Sequence, residues 1–473
     1  MNAPPIVCDY LIIGAGASGM AFADSILTDS DATMVIVDRQ HRPGGHWNDA
    51  YPFVRLHQPA SMYGVESRPL GLGRKDEIGL NRGMYELASG HEVMSHFDLA
   101  MQQRFLPSGR VRYFPMSEVI DEQHIVSSVS GEARDVQGGT IVDAAHSNMS
   151  VSATHVPHFS IGDGATCVPP NLLPRTAERF HEFVVIGAGK TGMDTCLWLL
   201  DNGAAPEQVR WIMPRDSWLF NRRMLQPSVE FLGDLSKGYA DQLEALACAT
   251  SVDDVFIRLE RTRMALRIDP TVRPTGFHCA VVSELELDEL RRITNIIRLG
   301  RLRSISDDEL VLDRGTVPTS AATLYIDCSA VSIPKMPTRT IFEPGRITLQ
   351  WVRLCQPTFS ASFIGHVEAT MSDLDDKNHL CAPIAAPESP IDFLSMSLVD
   401  LANSAAWEAD AALPQWMVGS RLEGWAKLFA GLTDEDTEVL AQVERMERFG
   451  PAAPANIERL LAAATEVGSA SVG

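Results

Sequence analysis

The hydrophobic positions near the N-terminus fall in short unbroken runs that stop at glycines. Tyr10-Leu11-Ile12-Ile13 has the apolar character of a buried parallel strand and leads directly into Gly14-Ala15-Gly16-Ala17-Ser18-Gly19. Helical character follows over 21–27, and Met34-Val35-Ile36-Val37 predicts a second strand ending at Asp38. The pattern returns at Phe183-Val184-Val185-Ile186, followed by Gly187-Ala188-Gly189-Lys190-Thr191-Gly192, a helix over 193–200 and a strand over 209–213. Between the two repeats, a helix is expected over about 92–105, closed by Pro107-Ser108-Gly109. Short strands and polar loops are expected from there to about 157.

After the second repeat, residues 220–297 read as helical and amphipathic, notably 241–247 and 252–266, an insertion in the nucleotide domain or a lid over it. A β-meander is expected over 295–312 around Asp307-Asp308, an apolar strand over 323–330, and more sheet over 347–364, where Phe363-Ile364-Gly365 is placed near a bound ring. The tail predicts helices from Thr433 to Gly450 and over 456–467.

Each glycine run has the spacing GxGxxG in the context that gives it meaning, strand before and helix after. Its glycines serve a tight turn, close backbone approach to a pyrophosphate and helix-on-strand packing, while the helix N-terminus offers unpaired N–H groups to phosphate. Asp38 lies nineteen residues after Gly19, where a carboxylate accepts from an adenosine ribose and repels a 2′-phosphate. The first site is therefore expected to take FAD or NAD in preference to NADP. In the second unit Arg215 comes twenty-three residues after Gly192, and an arginine fork can hold a 2′-phosphate bidentately. That site reads as one for NADPH, with Lys190 adding positive charge; the lesser alternative for Arg215 is a solvated surface charge.

Composition narrows the classes. A chain of 473 residues has room for two or three domains, and 45% hydrophobic with 21% charged residues is ordinary for a soluble protein. A net charge of −21 and a pI near 5.0 argue against non-specific binding to nucleic acid or anionic membrane. The first residues lack a basic n-region, and no run approaches roughly 18 uninterrupted apolar residues, so neither a signal peptide nor a membrane span is expected. Eight scattered cysteines without a C-x-x-C predict free, mostly buried thiols and a cytoplasmic location. His91 and His96 are five apart, on different faces of a helix, so a shared metal is not expected; Asn148-Met149-Ser150 is a glycosylation sequon of no consequence in a cytoplasmic chain. Trp211 and Trp218 are expected in the core or on the nucleotide-domain surface.

Two GxGxxG units 173 residues apart, acidic then basic at the strand end, with Gly44-Gly45-His46-Trp47 between them, resemble the flavin-containing and Baeyer-Villiger monooxygenases. The clear motifs cover about 7–215. The family's F-x-G-x-x-x-H signature is absent between Val151 and Phe183, where Pro157-His158-Phe159-Ser160-Ile161-Gly162 is the nearest stretch. The resemblance implies an α/β fold with two Rossmann-like dinucleotide-binding domains, a helical insertion and a helical C-terminal extension. It places an FAD domain in 1–156 and a return segment in 336–395, an NAD(P)H domain in 157–335 with the insertion at about 220–297, and helices in 396–473.

For the cofactors, the resemblance implies that Gly14, Gly16, Ser18, Gly19, Asp38 and Arg39 bind FAD, with Gly45, His46 and Trp47 at the flavin. Gly187, Gly189, Lys190, Thr191, Gly192 and Arg215 would bind NADPH. The segment after Tyr51-Pro52 would serve the reactive edge of the flavin: Arg55 to steady peroxide charge, His57 or Gln58 to hydrogen-bond near N5 and C4a, unless it is an ordinary solvated loop. The implied activity is NADPH-dependent oxygenation of a small organic substrate by O₂ through a C4a-peroxyflavin. Two other readings stay open at this point: an NADPH-dependent flavin dehydrogenase or reductase without oxygen transfer, and a nucleotide-binding sensor or interaction protein with an inert flavin. Oligomeric state is not legible.

Overall fold

The computed structural model describes residues 4–470 apart from Glu122, Asn148 and Ser332, with side chains followed to residue 466. The sequon's Asn148 thus lies outside the described residues. Strand β1 (Tyr10–Ile13), helix α1 (Ala17–Asp29) and strand β2 (Met34–Val37) form the first unit, followed by α2 (Gly90–Ala100), β3 (Val111–Phe114) and β4 (Thr140–Asp143). β1 pairs in parallel with β2 on one side and β4 on the other, and β3 pairs with β2. Strand order therefore reverses beside β1, the point at which open α/β sheets generally take a ligand at the carboxyl ends of their strands. The strands Phe342–Glu343 and Arg346–Thr348 extend this sheet beyond β4.

Helix α2 begins where Ser89 and Glu92 satisfy one another's backbone: the Glu92 N–H donates to Ser89 Oγ at 3.3 Å and the Ser89 N–H to Glu92 Oε2 at 2.7 Å. Its last expected turn, Met101–Phe105, widens into a π-helix.

The second sheet repeats the scheme with β5 (Thr166–Val168), β6 (Glu182–Ile186), α3 (Lys190–Asp201) and β7 (Val209–Ile212). The insertion that follows is not helical alone. It comprises β8 (Ser217–Asn221), α4 (Leu232–Cys248), α5 (Val252–Arg261), β9 (Ala265–Leu266), β10 (Gly276–Val282) and α6 (Glu284–Leu290), with β9, β8 and β10 in one three-stranded sheet. The helical expectation failed over 265–282 because these strands are buried on both faces, which removes the alternation that marks a strand. Strands β11 (Ile296–Ile297) and β12 (Thr323–Asp327) complete the second sheet, in the order β5-β12-β6-β7-β11. The expected meander is shifted along the chain: Ile296–Ile297 belongs to the parallel sheet, and the antiparallel strands are Leu302–Ile305, Glu309–Leu312 and Gly315–Pro318.

A larger correction concerns 347–364. Its second half is the start of helix α7 (Pro357–Thr370), which packs along α1. A Cβ on Gly365 would stand 2.9 Å from the Phe22 carbonyl oxygen, and Ser25 and Ser362 share a hydrogen bond of 2.8 Å. Phe363, Ile364 and Gly365 are thus core of the first domain, in the middle of a helix whose burial on all sides hides its period. The tail holds α8 (Pro390–Ala409), α9 (Thr437–Phe449) and α10 (Ala453–Ala470).

The cysteine expectation is also corrected. Cys279 and Cys355, 76 residues apart, are joined in a disulfide, while Cys8, Cys167, Cys196, Cys248, Cys328 and Cys381 are free. Spacing could not reveal the pair, because β10 and the entry to α7 meet only in the tertiary fold. Among the described residues no helix is long and apolar enough to cross a membrane.

Candidate functional site

The first glycine loop is defined by backbone contact. A Cβ on Gly19 would lie 2.0 Å from the Gly14 carbonyl oxygen, so α1 can cross β1 this closely only without a side chain. The pair Gly44-Gly45 folds back on the loop: the Gly44 N–H donates to the Ala15 carbonyl at 2.8 Å, and a Cβ on Gly45 would be 2.9 Å from the Gly16 Cα. Ser18 stands half-buried in the first turn of α1. Asp38, buried at the end of β2, accepts from the Ala15 N–H at 2.5 Å and from the Gln40 N–H at 2.7 Å. Burial raises its pKa, opposed by those two N–H groups and the charge of the exposed Arg39. Each carboxylate oxygen retains a lone pair for a further donor, as a ribose hydroxyl requires.

His46 and Trp47 sit with ring centroids 5.3 Å apart, and the Trp47 indole N–H donates to Tyr63 Oη at 2.8 Å. Burial lowers the His46 pKa to about 4, so the ring is neutral.

In the second unit a Cβ on Gly192 would lie 2.2 Å from the Gly187 carbonyl oxygen, whereas one on Gly189 would meet open space. The Trp211 indole N–H braces the loop by donating to the Gly187 carbonyl at 2.8 Å, and Trp218 is likewise buried, in the insertion. Lys190 is paired with Asp194 one helical turn on, so its charge is already partly answered. Arg215 is exposed and makes no hydrogen bond or ion pair among the described residues. The next residue, Asp216, is a buried carboxylate that sequence reading did not weigh; Arg298 neutralises it through bonds of 2.9 and 3.0 Å. The strand end therefore presents a free arginine beside a compensated acid.

Two bridges join the units. Tyr51 reaches from the loop after Trp47 to donate to Asp194 Oδ2 on α3 at 2.7 Å, with Phe53 stacked on Trp198 at 5.4 Å. The second bridge is the fully buried Arg222, which donates to the His57 carbonyl at 3.0 Å, to Asn81 at 3.1 Å and to Glu286 at 2.7 Å. Burial acts to raise the Glu286 pKa, but the charges of Arg222 and then Lys190, with the Ser283 N–H, lower it overall. Glu286 is placed by the sequence itself: Ser283-x-x-Glu286 is the capping box of α6. Tyr51, Arg222 and Glu286 were missed as site residues. The Tyr-Pro after the glycine pair marked the first, but Arg222-Arg223 after an aromatic strand looks like a solvated pair.

This clamp fixes His57. Its Nδ1 accepts from the Val281 N–H at 3.1 Å, and burial, then Lys190 and Arg222, hold its pKa down to about 3. The neutral ring thus carries its proton on Nε2 and can donate there. Gln58 is half-buried beside it in sequence. Arg55 is not brought to His57: it is exposed and donates to the Leu87 carbonyl at 3.1 Å. Of the two histidines five apart, for which no shared metal is expected, His91 is exposed and His96 is buried with Nε2 accepting from the Val65 N–H at 3.1 Å.

The family model for NAD(P)-binding Rossmann-like domains matches residues 12–61, from β1 through the His57 segment. Among solved structures the chain is similar to polycyclic ketone monooxygenase from the thermophilic fungus Thermothelomyces thermophila, with TM-score 0.47 and 13% identity over 97% of this chain and 88% of that one. It is also similar to a bacillithiol disulfide reductase from Staphylococcus aureus, with TM-score 0.45 and 8% identity over 77% of this chain and 97% of that one. The uncharacterized protein Rv2000 of Mycobacterium tuberculosis is 45% identical over 465 residues, 98% of this chain and 86% of that protein. On that identity across nearly its whole length, the chain belongs to the same family as Rv2000.

Proposed function

We propose that the protein is an FAD- and NADPH-dependent oxidoreductase that oxygenates a small organic substrate with O₂. The observation that carries this reading is the pair of glycine loops with opposite strand ends, buried Asp38 and free Arg215, bridged so that His57 is fixed between them. Gly14, Gly16, Gly19 and Asp38 would hold FAD, with Ser18, Arg39, Gly45, His46 and Trp47 around it; Gly187, Gly189, Thr191, Gly192 and Arg215 would hold NADPH, beside Lys190. The flavin, when bound, supplies hydride acceptance from NADPH and electron transfer to dioxygen. The chain's own part is to orient both nucleotides, to keep water out with Trp47 and Tyr63, and to offer a fixed donor at His57 Nε2. Arg55 and Gln58 are assigned the outer polar edge of that site.

We assign residues 1–156 and 336–395 to the flavin domain, 157–335 to the NADPH domain and 396–473 to the helical extension, in a cytoplasmic protein that binds neither nucleic acid nor membrane. A reductase passing electrons to an acceptor other than O₂ is the second reading, favoured by the missing signature between Val151 and Phe183.

The test is to purify the protein and compare flavin bleaching by NADPH and NADH without oxygen. Labelled O₂ is then admitted in the presence of a panel of ketones and thioethers. Bound flavin, faster bleaching by NADPH and label in a product support oxygenation. Peroxide alone counts against oxygenation of that panel, reoxidation of the bleached flavin by an added quinone or disulfide without O₂ selects the reductase, and a protein that takes up no flavin sinks both.

A further inference from the structure

Cys279 and Cys355 lie with Cα atoms 6.0 Å apart across their disulfide, and both have left-handed backbones, at φ +55° and +58°. Among the described residues only two other non-glycine positions do this, Met116 and Arg263. Each half of the bridge has a local origin. On β10 the register slips, because Trp218 faces Phe277 while Phe220 faces Val281, so one residue of β8 stands opposite three and Cys279 is bulged out of the ladder. Cys355 ends the turn that enters α7, where the Val352 and Arg353 N–H groups donate to Ser360 Oγ at 3.1 and 3.3 Å and the Leu354 N–H to Asp400 at 2.8 Å.

The bridge is close in sequence to the site on its Cys279 side. Two residues past Cys279, Val281 holds His57 through its N–H and Arg222 through its carbonyl. One residue past Cys355, Gln356 begins α7 with its buried Oε1 lacking a partner among the described residues. Non-glycine residues held in left-handed backbone concentrate at switching and functional sites, and a sulfur that is not sealed in the core can be attacked by thiolate. Cys279 is 7% exposed and Cys355 half-buried, so Cys355 is the more exposed residue of the two.

We propose that Cys279–Cys355 is an exchangeable disulfide, opened by a dithiol, whose state sets how firmly β10 holds His57. A reductant thiolate attacks Cys355 Sγ, the S–S bond breaks, and Cys279 leaves as a thiolate that takes a proton. The reductant's second thiol then displaces Cys355, which is protonated in turn. Two electrons and two protons end on the protein, and the reductant leaves as a disulfide. The inference goes beyond the flavin reading and stands or falls without it.

The experiment equilibrates the full-length protein, purified without reductant, in graded mixtures of reduced and oxidised dithiothreitol. Free thiols are trapped with N-ethylmaleimide and located by peptide mass spectrometry, and amide exchange is followed in parallel. Cys279 and Cys355 are expected to become labelled together while the buried Cys196 and Cys381 stay unlabelled. Exchange over 276–282 should quicken about tenfold with the strand Tyr10–Ile13 unchanged. Cys355→Ser should show the quickened exchange without reductant. Labelling of both cysteines before any reductant is added overturns the proposal. So does a bridge that opens only when Cys196 and Cys381 become reactive, or one that opens without change over 276–282.

Discussion

At Gly19 and Gly192 the two nucleotide units repeat one another closely: a Cβ would stand 2.0 Å from the Gly14 carbonyl oxygen in the first and 2.2 Å from that of Gly187 in the second. Past the second strand they part. Asp38 is buried with its oxygens on backbone N–H groups, whereas Arg215 is exposed beside an Asp216 that Arg298 has neutralised. Backbone sterics thus dictates the shape of the loop in both units, and in the proposed reading a few side chains at the strand end set which nucleotide each prefers.

The sharpest way to break this comparison is to fill the two loops in turn. Gly19→Ala is expected to yield protein without flavin absorbance, while Gly192→Ala keeps its flavin and no longer saturates with NADPH. Loss of both cofactors in either variant would show that the loops are not separate sites. The joint between them is tested by Arg222→Met, which leaves Glu286 buried and unpaired at a cost of about 3–5 kcal/mol. A lower urea midpoint should report this, and adding Glu286→Leu should restore most of it.

Smaller effects come from the strand ends. Asp38→Asn removes a charged acceptor worth about 1.5–3 kcal/mol, so apoprotein titrated with FAD should bind roughly 10- to 100-fold more weakly. Arg215→Ala should lower kcat/KM for NADPH by a similar factor and leave NADH within about twofold; an equal fall for both would place Arg215 outside the 2′-phosphate site.

The last test is of pH. Burial is the main cause that holds His57 at about 3 and His46 and His96 at about 4, all below the ordinary 6.5. Between those values and 6.5 the unfolded chain binds protons that the folded one does not. Stability is therefore full above 6.5 and falls as pH drops toward 4. Urea midpoints measured from pH 7.5 to 4.5 should follow that slope, and His96→Gln should flatten it; an unchanged slope would mean that His96 is not held neutral.

How much of this could be read in advance depended on whether the signal was local. The stop at Pro107-Ser108-Gly109 placed the end of a helical stretch, and the glycine spacings placed both loops, because each needs only residues a few positions apart. Arg55 and His57 illustrate the limit. Two residues apart in a polar loop, they looked alike, yet Arg55 bonds the Leu87 carbonyl while His57 is gripped by Val281 and Arg222 from the insertion.

By itself the sequence determined two strand–glycine–helix units and the sign of charge at each strand end, since steric room for a loop and the charge of a residue are properties of neighbours along the chain. Tertiary structure alone decided that 357–370 is a helix against α1, that 265–282 contributes strands, that Cys279 meets Cys355, and that Arg222 is buried with Glu286. Each of those depends on what faces a residue across the fold, and burial on every side erases the periodicity by which a sequence announces its elements.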